Sequence, residues 1–296
     1  MSPDWACIAG AIGAATQGEF AVISVRPISG GSIHSAWRIS NGQREFFVKT
    51  GADLAGSMFI AEAAGLRAIA VTGTVRTPVA IAHGATDSGT FLVLEALDLA
   101  PLDSESGARL GEALAHMHRQ KGASFGWPAD NFIGATPQVN TSHPSWPHFY
   151  GERRLRPQLQ RALANGMDKA LVAKGMAVIE RVGGMFISYQ PAPCLLHGDL
   201  WSGNAGRLPD GTPSIYDPAC YWGDREADIA MAELFGGFPT SFFATYRAAW
   251  PLDRDYERRK PLYNLYHILN HFNLFGGAYL GQAQRMIDRL LGDLRR

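Results

Sequence analysis

Leu196-His197-Gly198-Asp199-Leu200-Trp201-Ser202-Gly203-Asn204, followed by Ile215-Tyr216-Asp217-Pro218, is the part of this chain that decides its fold. Each piece opens as an apolar run, Cys194-Leu195-Leu196 in the first and Pro213-Ser214-Ile215 in the second, and each arrives at an aspartate in a polar loop. Two short buried strands that end in carboxylates are expected. If the strand ends converge, Asp199, Asp217 and Asn204 offer hard oxygen ligands of the kind that hold magnesium beside substrate phosphates. A carboxylate that can accept a proton, with an amide and a second carboxylate for metal, is the working set of a phosphoryl-transfer site. A single aspartate more commonly makes a turn or caps a helix. The spacing of the three groups is what points to chemistry.

Lys49 supports this reading from the other half of the chain. Only 5 of the 27 basic residues are lysines, so arginine is the usual choice where a positive charge alone is wanted. Lys49 nevertheless ends the apolar strand Glu45-Phe46-Phe47-Val48, where a compact ammonium suits phosphate oxygens, and Glu62 on the next helix is its expected partner. A lysine snorkelling from a strand end is the plainer explanation for that residue alone. Upstream, Ile28-Ser29-Gly30-Gly31-Ser32 lies between two strands, and its small residues let backbone N–H groups approach phosphates. A glycine hairpin is also ordinary turn chemistry.

The surrounding texture predicts an α+β chain. Ser2-Pro3-Asp4 reads as the start of a helix running to about Gln17, with serine as the cap and proline at the first position. Strands are expected over residues 21–25, 35–39 and 45–49, a helix over 58–71, and further strands over 78–83 and 91–94. After Leu97 the pattern turns helical, beginning with Ser104 to Lys121, where Leu110, Leu114 and Met117 share a face. Gly122 to Pro147 reads as a long Gly-, Pro- and Trp-rich loop, a candidate substrate or lid element. Helical patterns return from about Phe149 to Phe186 and again after Asp228, with breaks near Pro239, Pro251 and Gly276-Gly277. A small strand-rich lobe over residues 1–96 and a larger helical lobe over 97–296 follow.

The 296 residues, 46% apolar and 18% charged, describe a globular chain with 27 basic and 27 acidic residues in balance. That balance removes the electrostatic case for nucleic acid or an anionic membrane as partner. Three cysteines without a C-x-x-C pair suggest neither a disulfide framework nor a zinc knuckle, and no apolar run reaches spanning length. A cytoplasmic protein is expected. Asn140-Thr141-Ser142 is read as a chance glycosylation triplet. His267 and His271, four apart on a helix, lack the glutamate and third ligand of a zinc site and are read as structural, and Arg153, Arg154 and Arg156 as a solvated helix face. No P-loop or G-x-G-x-x-G string occurs.

Taken together, these pieces resemble the protein-kinase-like fold, and within its aminoglycoside-phosphotransferase-like group the fructosamine kinase (ketosamine 3-kinase) family. The most specific match is Leu196 to Asn204, since aminoglycoside and choline kinases share the histidine, aspartate and asparagine but not usually the Leu-Trp-Ser-Gly between them. The likeness continues in Asp217-Pro-Ala219, Gly223-Asp-Arg-Glu226-Ala-Asp228, Phe59-x-x-Glu62, Leu92-Val-Leu-Glu95 and Leu265-Tyr-His-x-Leu-Asn270-His-Phe-Asn-Leu-Phe-Gly276. It implies that Asp199 is the catalytic base, that His197 holds its loop, and that Asn204 and Asp217 bind Mg2+. Lys49 then binds ATP phosphates with Glu62 as its partner, backbone groups at Glu95 and Leu97 grip adenine, and Asp228 bonds back into the catalytic loop. Trp201 is close enough to the base to pack against the sugar, or to fill the lobe beneath it.

The activity so implied is transfer of the ATP γ-phosphoryl group to a hydroxyl, O3 by resemblance, of a small or protein-linked ketosamine such as a fructosamine or ribulosamine. The alternatives are a kinase of another hydroxylated amine, such as an aminoglycoside or choline, and a non-catalytic nucleotide-binding pseudokinase. In two places the sequence departs from its relatives. The first loop lacks the cysteine that some family members carry, so no redox switch is expected there. Asp217-Pro-Ala also stands where protein kinases have Asp-Phe-Gly, which removes the phenylalanine whose movement toggles many of them.

Overall fold

The structure is a computed structural model describing residues 2–28, 34–52 and 55–294. In chain order it opens with α1 (Trp5–Thr16), β1 (Ser24–Ile28), β2 (Ser35–Ser40), β3 (Glu45–Gly51), α2 (Ala55–Val71), β4 (Ala80–Thr86) and β5 (Gly89–Glu95). The strands form one antiparallel sheet in the order β1-β2-β3-β5-β4. Strand side chains alternate between faces, and both faces of this sheet are covered. Phe46, Val48, Phe91 and Val93 pack with Ile8 and Ile12 of α1. Leu92 and Leu94 pack with Phe59, Ala63 and Leu66 of α2. Lys49 therefore shares the α2 face of the sheet with Phe47.

The first helix begins later than its sequence suggests. Asp4, not Ser2, is the cap, because its side chain accepts the Cys7 N–H at 3.0 Å. Pro3 lies outside the helix.

Beyond the sheet come α3 (Ser104–His118), the hairpin β6 (Asn131–Ile133) and β7 (Thr136–Gln138), α4 (Trp146–Tyr150), a π-helical turn at Gly151–Leu155, α5 (Arg156–Ala164) and α6 (Lys169–Arg181). The strands β8 (Cys194–Leu196), β9 (Ala205–Arg207), β10 (Pro213–Ile215) and β11 (Tyr221–Gly223) follow in two pairs, β8 with β11 and β9 with β10. Last are α7 (Glu226–Leu234), α8 (Thr240–Ala249), α9 (Tyr256–Phe275) and α10 (Leu280–Asp293). Asp103 caps α3 through a reciprocal box with Ser106. One apolar core runs through this helical part, from Leu110 and Leu114 to Leu265, Leu269 and Leu290.

The segment read as a long loop is largely ordered by this body. Its hairpin is pinned by Asn131, whose Nδ2 donates to the Cys220 carbonyl at 2.7 Å, and by Gln138, whose Oε1 accepts the Tyr266 hydroxyl at 2.7 Å. Arg154 corrects the expected solvated face. It is fully buried, donates to the Val139 carbonyl at 2.7 Å and Asn140 Oδ1 at 2.6 Å, and stacks 4.0 Å from the Tyr221 ring centre. An arginine stem and fork can satisfy a loop's orphan carbonyls while its plane covers an aromatic face. Arg156 of the same cluster does stay near the surface and pairs with Glu152.

Candidate active site

A cavity of about 750 Å³ lies between the sheet and the helical body. Lys49, Glu62, Asp199, Trp201, Asn204 and Asp217 all line it. The expected convergence of the two strand ends is present: β8 leads directly into His197 and Asp199, and β10 into Tyr216 and Asp217.

Several hydrogen bonds knit those ends together. The buried His197 ring donates from Nε2 to the Tyr216 carbonyl at 3.0 Å, which leaves Nδ1 to accept the Asp199 N–H at 3.3 Å. Burial lowers the His197 pKa, in keeping with this neutral form. Asp228 at the start of α7 accepts the His197 N–H at 2.7 Å and the Gly198 N–H at 2.9 Å, and His118 approaches the same carboxylate at 3.1 Å. Gly198 has φ +83°, and a Cβ there would lie 2.1 Å from the Ala219 carbonyl oxygen, so the turn before Asp199 tolerates glycine only.

Burial and the neighbouring Asp217 charge push the Asp199 carboxyl up to about 7, against the opposing hydrogen bond from Asn204. The Asn204 Nδ2 donates to the Asp199 carbonyl at 2.9 Å and to Asp199 Oδ2 at 3.2 Å. Its amide nitrogen is thus committed, and Oδ1 is the atom left to meet a cation. Asp217 occupies the left-handed region at φ +56°, a costly conformation for a residue other than glycine and one that concentrates at functional sites. Asp217 and Glu62 share Lys49: its ammonium donates to Glu62 Oε1 at 2.8 Å and to Asp217 Oδ1. Burial opposes the Lys49 charge, but the two carboxylates outweigh it and raise its pKa. Burial also pushes the Glu62 carboxyl above its usual range despite the Lys49 charge.

The Asp217 carboxylate and the Asn204 amide oxygen fit magnesium, which takes few protein ligands and fills its shell with phosphate and water. Among the described residues, no cluster of three or more His, Cys, Asp or Glu side chains is arranged to hold a metal. The buried His267 and the neighbouring His271, whose Nδ1 bonds the His267 carbonyl at 2.8 Å, are arranged as side chains of a helix core and rim.

The other expected residues fall less simply. Ser29, Gly30, Gly31 and Ser32 lie outside the described residues. The Glu95 N–H donates to the Val79 carbonyl at 2.9 Å, and the Leu97 carbonyl accepts from Arg38 at 2.6 Å, so these two backbone groups are engaged within the protein. Trp201 is 39% exposed, with its ring laid over Gly203, where a Cβ would come within 2.1 Å of it. The cavity wall continues through Phe235, His271, Phe275 and Tyr279. These wall residues were hidden in the sequence because they sit at ordinary helical spacings, Phe235 at the end of α7, His271 and Phe275 on α9 and Tyr279 just after it.

A lysine held by a helix glutamate, facing two aspartates and an asparagine across one cleft, is the arrangement of phosphoryl transfer. The protein belongs to the phosphotransferases of protein-kinase-like fold, and the aminoglycoside phosphotransferase APH(4)-Ia, solved with ADP and hygromycin B, shares that fold at TM-score 0.67 and 14% identity over 99% of this chain and 98% of its own. More narrowly, the chain belongs to the fructosamine kinase family, whose model matches residues 4–293. A Synechocystis protein provisionally named a ketoamine kinase is 45% identical over 97% of both chains. The chloroplastic protein-ribulosamine 3-kinase of Arabidopsis thaliana is 40% identical over 96% of this chain and 86% of its own. A solved structure from Haemophilus somnus, provisionally named a fructosamine-3-kinase, superimposes at TM-score 0.89 with 30% identity over 96% of both chains. The enzyme is an ATP-dependent phosphotransferase acting on ketosamines.

Proposed function

We propose that the protein transfers the ATP γ-phosphoryl group to the O3 hydroxyl of a fructosamine or ribulosamine, free or carried on a protein. Convergence of Asp199, Asn204, Lys49 and Asp217 on one cleft carries this reading. Asp199 accepts the proton of the attacking hydroxyl, which its raised pKa favours. Asn204 and Asp217 hold Mg2+, which when bound screens the charge of the phosphates. Lys49, oriented by Glu62, holds phosphate oxygens, and His197 and Asp228 keep the Asp199 loop in place. The segment from Glu95 to Leu97 marks the junction between a nucleotide lobe, residues 1–96, and a helical lobe, 97–296; it receives adenine through backbone groups other than the two already engaged. Ser29, Gly30, Gly31 and Ser32, outside the described residues, are assigned to ATP by the family resemblance alone.

The wall formed by Trp201, Phe235, His271, Phe275 and Tyr279 carries no carboxylate. It suits a sugar with one amine better than a polycationic aminoglycoside, which needs acidic partners. No described helix is long and apolar enough to cross a membrane, and all three cysteines are free, consistent with a cytoplasmic site of action.

The test is turnover of ATP by purified protein with fructosyl-lysine, ribulosyl-lysine, kanamycin and choline, with NMR of the product to locate the phosphate. Phosphorylation of the ketosamines at O3 is expected, with Asp217→Ala suppressing it in an intact fold. Turnover of kanamycin or choline in preference, or a magnesium-dependent Asp217→Ala enzyme of near-normal rate, overturns the reading.

A further inference from the structure

The helix that carries Glu62 is packed unusually closely onto the segment that carries Asp217. At Gly65, three residues after Glu62, a Cβ would stand 3.0 Å from Pro218 Cγ, 3.5 Å from Pro218 Cβ and 3.3 Å from Cys220 Sγ. The Cys220 thiol itself points at the Gly65 carbonyl, 3.7 Å away. From the far side the β6–β7 hairpin fixes the same segment, with Asn131 on the Cys220 carbonyl at 2.7 Å and Gln138 on the Ala219 carbonyl at 3.2 Å, and β6 also packs against α2.

The contacts form a closed ring. Glu62 bonds Lys49, Lys49 bonds Asp217, the chain runs from Asp217 to Cys220, and Cys220 and Pro218 meet Gly65 on the same helix as Glu62. A rigid helix passes a displacement at Gly65 to Glu62, since residues three apart lie on neighbouring positions of one face. The interior is close-packed, so a methyl group at that contact must move one side or the other. Proline at position 218 has no freely turning side chain with which to give way.

We infer that Gly65 is a positioning residue: its missing side chain sets the distance between α2 and the Asp217–Cys220 segment and thereby holds Glu62, and through it Lys49, at the place where nucleotide phosphates bind. The lock is a fixed steric contact where protein kinases have a mobile phenylalanine. It rests on the assignment of Lys49 and Glu62 to the nucleotide, given above.

Gly65→Ala tests it, because alanine is the better helix former, so an effect of helix propensity alone would leave the protein as stable or more so. The expected result is a thermal midpoint lowered by no more than a few degrees, together with roughly a 10-fold rise in both the Kd for AMP-PNP, by titration calorimetry, and the KM for ATP. The ketosamine KM should stay within about twofold, since the wall near Trp201 is untouched. In a Pro218→Ala background, which removes the nearest atom, the effect of Gly65→Ala should shrink to roughly threefold or less. Unchanged nucleotide binding in Gly65→Ala, or an undiminished loss beside Pro218→Ala, overturns the inference. Should Gly65→Ala not fold, Cys220→Ala, which only removes atoms, is expected to raise the ATP KM several-fold with the ketosamine KM unchanged; no change in either refutes the lock. Lys49→Ala separates the two readings. If it loses nucleotide binding while Gly65→Ala does not, the lock alone fails. If Lys49→Ala binds nucleotide normally, the nucleotide assignment fails and this inference with it.

Discussion

Asp228 holds His197 by its backbone: Oδ2 accepts the His197 N–H at 2.7 Å while Oδ1 takes the next N–H, that of Gly198, at 2.9 Å. One carboxylate thus shapes the turn that presents Asp199. His118 and His197 supply compensating polarity, and although burial opposes it, the His118 hydrogen bond helps to hold Asp228 below the usual carboxylate range. The loop that carries Asp199 is positioned by the helical body, whereas Lys49 is positioned by the sheet and α2. Phosphoryl transfer depends on the two supports staying in register.

Asp228→Ala should therefore damage stability and rate together. It strips acceptors from two buried N–H groups and leaves His118 Nε2 unpaired, with only the Nδ1 bond to the Tyr246 hydroxyl remaining, a loss of about 3 kcal/mol or more. Chemical denaturation should show a lowered midpoint, and kcat should fall more than the nucleotide Kd changes. A variant of normal stability and turnover would remove Asp228 from its supporting role.

Asp199→Asn separates chemistry from stability in the opposite sense. Shape is kept and proton acceptance is lost, so kcat should fall roughly 10²- to 10⁴-fold with nucleotide affinity little changed. The fold should gain. A carboxyl near 4 in the unfolded chain and about 7 in the folded one contributes stability below pH 4 that is lost as pH rises through 7. At pH 8 the asparagine variant should be more stable, by about 1 kcal/mol after discounting for partial solvent contact, or roughly 2–4 °C. Near pH 4 the two proteins should melt alike.

The pH profile follows from the same groups. With Asp199 pushed up to about 7, the proposed base is protonated and idle in acid in the free enzyme. Burial raises Glu62 as well, so its hold on Lys49 also weakens in acid and not in base. Both effects have one sign: kcat/KM should rise with pH and level off above about 7. A profile flat from pH 5 to 8 would contradict the base assignment.

Much of this site was legible because its chemistry is local in sequence. Asp199, Asn204 and Asp217 stand at the ends of short apolar strands, and strand alternation puts Lys49 on the face that α2 covers. What the sequence concealed depends on distant partners. Arg154 looks like a surface cation until Val139 and Asn140 are seen to need its donors. The segment after Gly122 looks like loop because its order comes from Tyr266 and Cys220, both far along the chain. Asp4 displaced Ser2 as a cap because either residue type can play that part, and it is the Asp4 carboxylate that accepts the Cys7 N–H.

Trp201 bears on substrate class. Its ring is 39% exposed, lies over Gly203 and faces the cavity beside Phe235 and Phe275, so it covers little of the core and presents a broad apolar face to the cleft. A sugar ring packed on that face, with a secondary ammonium near the aromatic wall, should draw on contacts of about 1–2 kcal/mol. Trp201→Ala should then raise the ketosamine KM roughly 10-fold while the ATP KM stays within about twofold. Trp201→Phe should recover most of the loss, because a smaller ring still offers a face. If instead the ring merely fills the lobe, Trp201→Ala should lower the thermal midpoint and leave both KM values alone, and specificity for ketosamines would have to reside in Phe235, His271, Phe275 and Tyr279. Since Trp201 is not among the side chains packed against the apolar cores, kinetics more than melting is where the substitution should register.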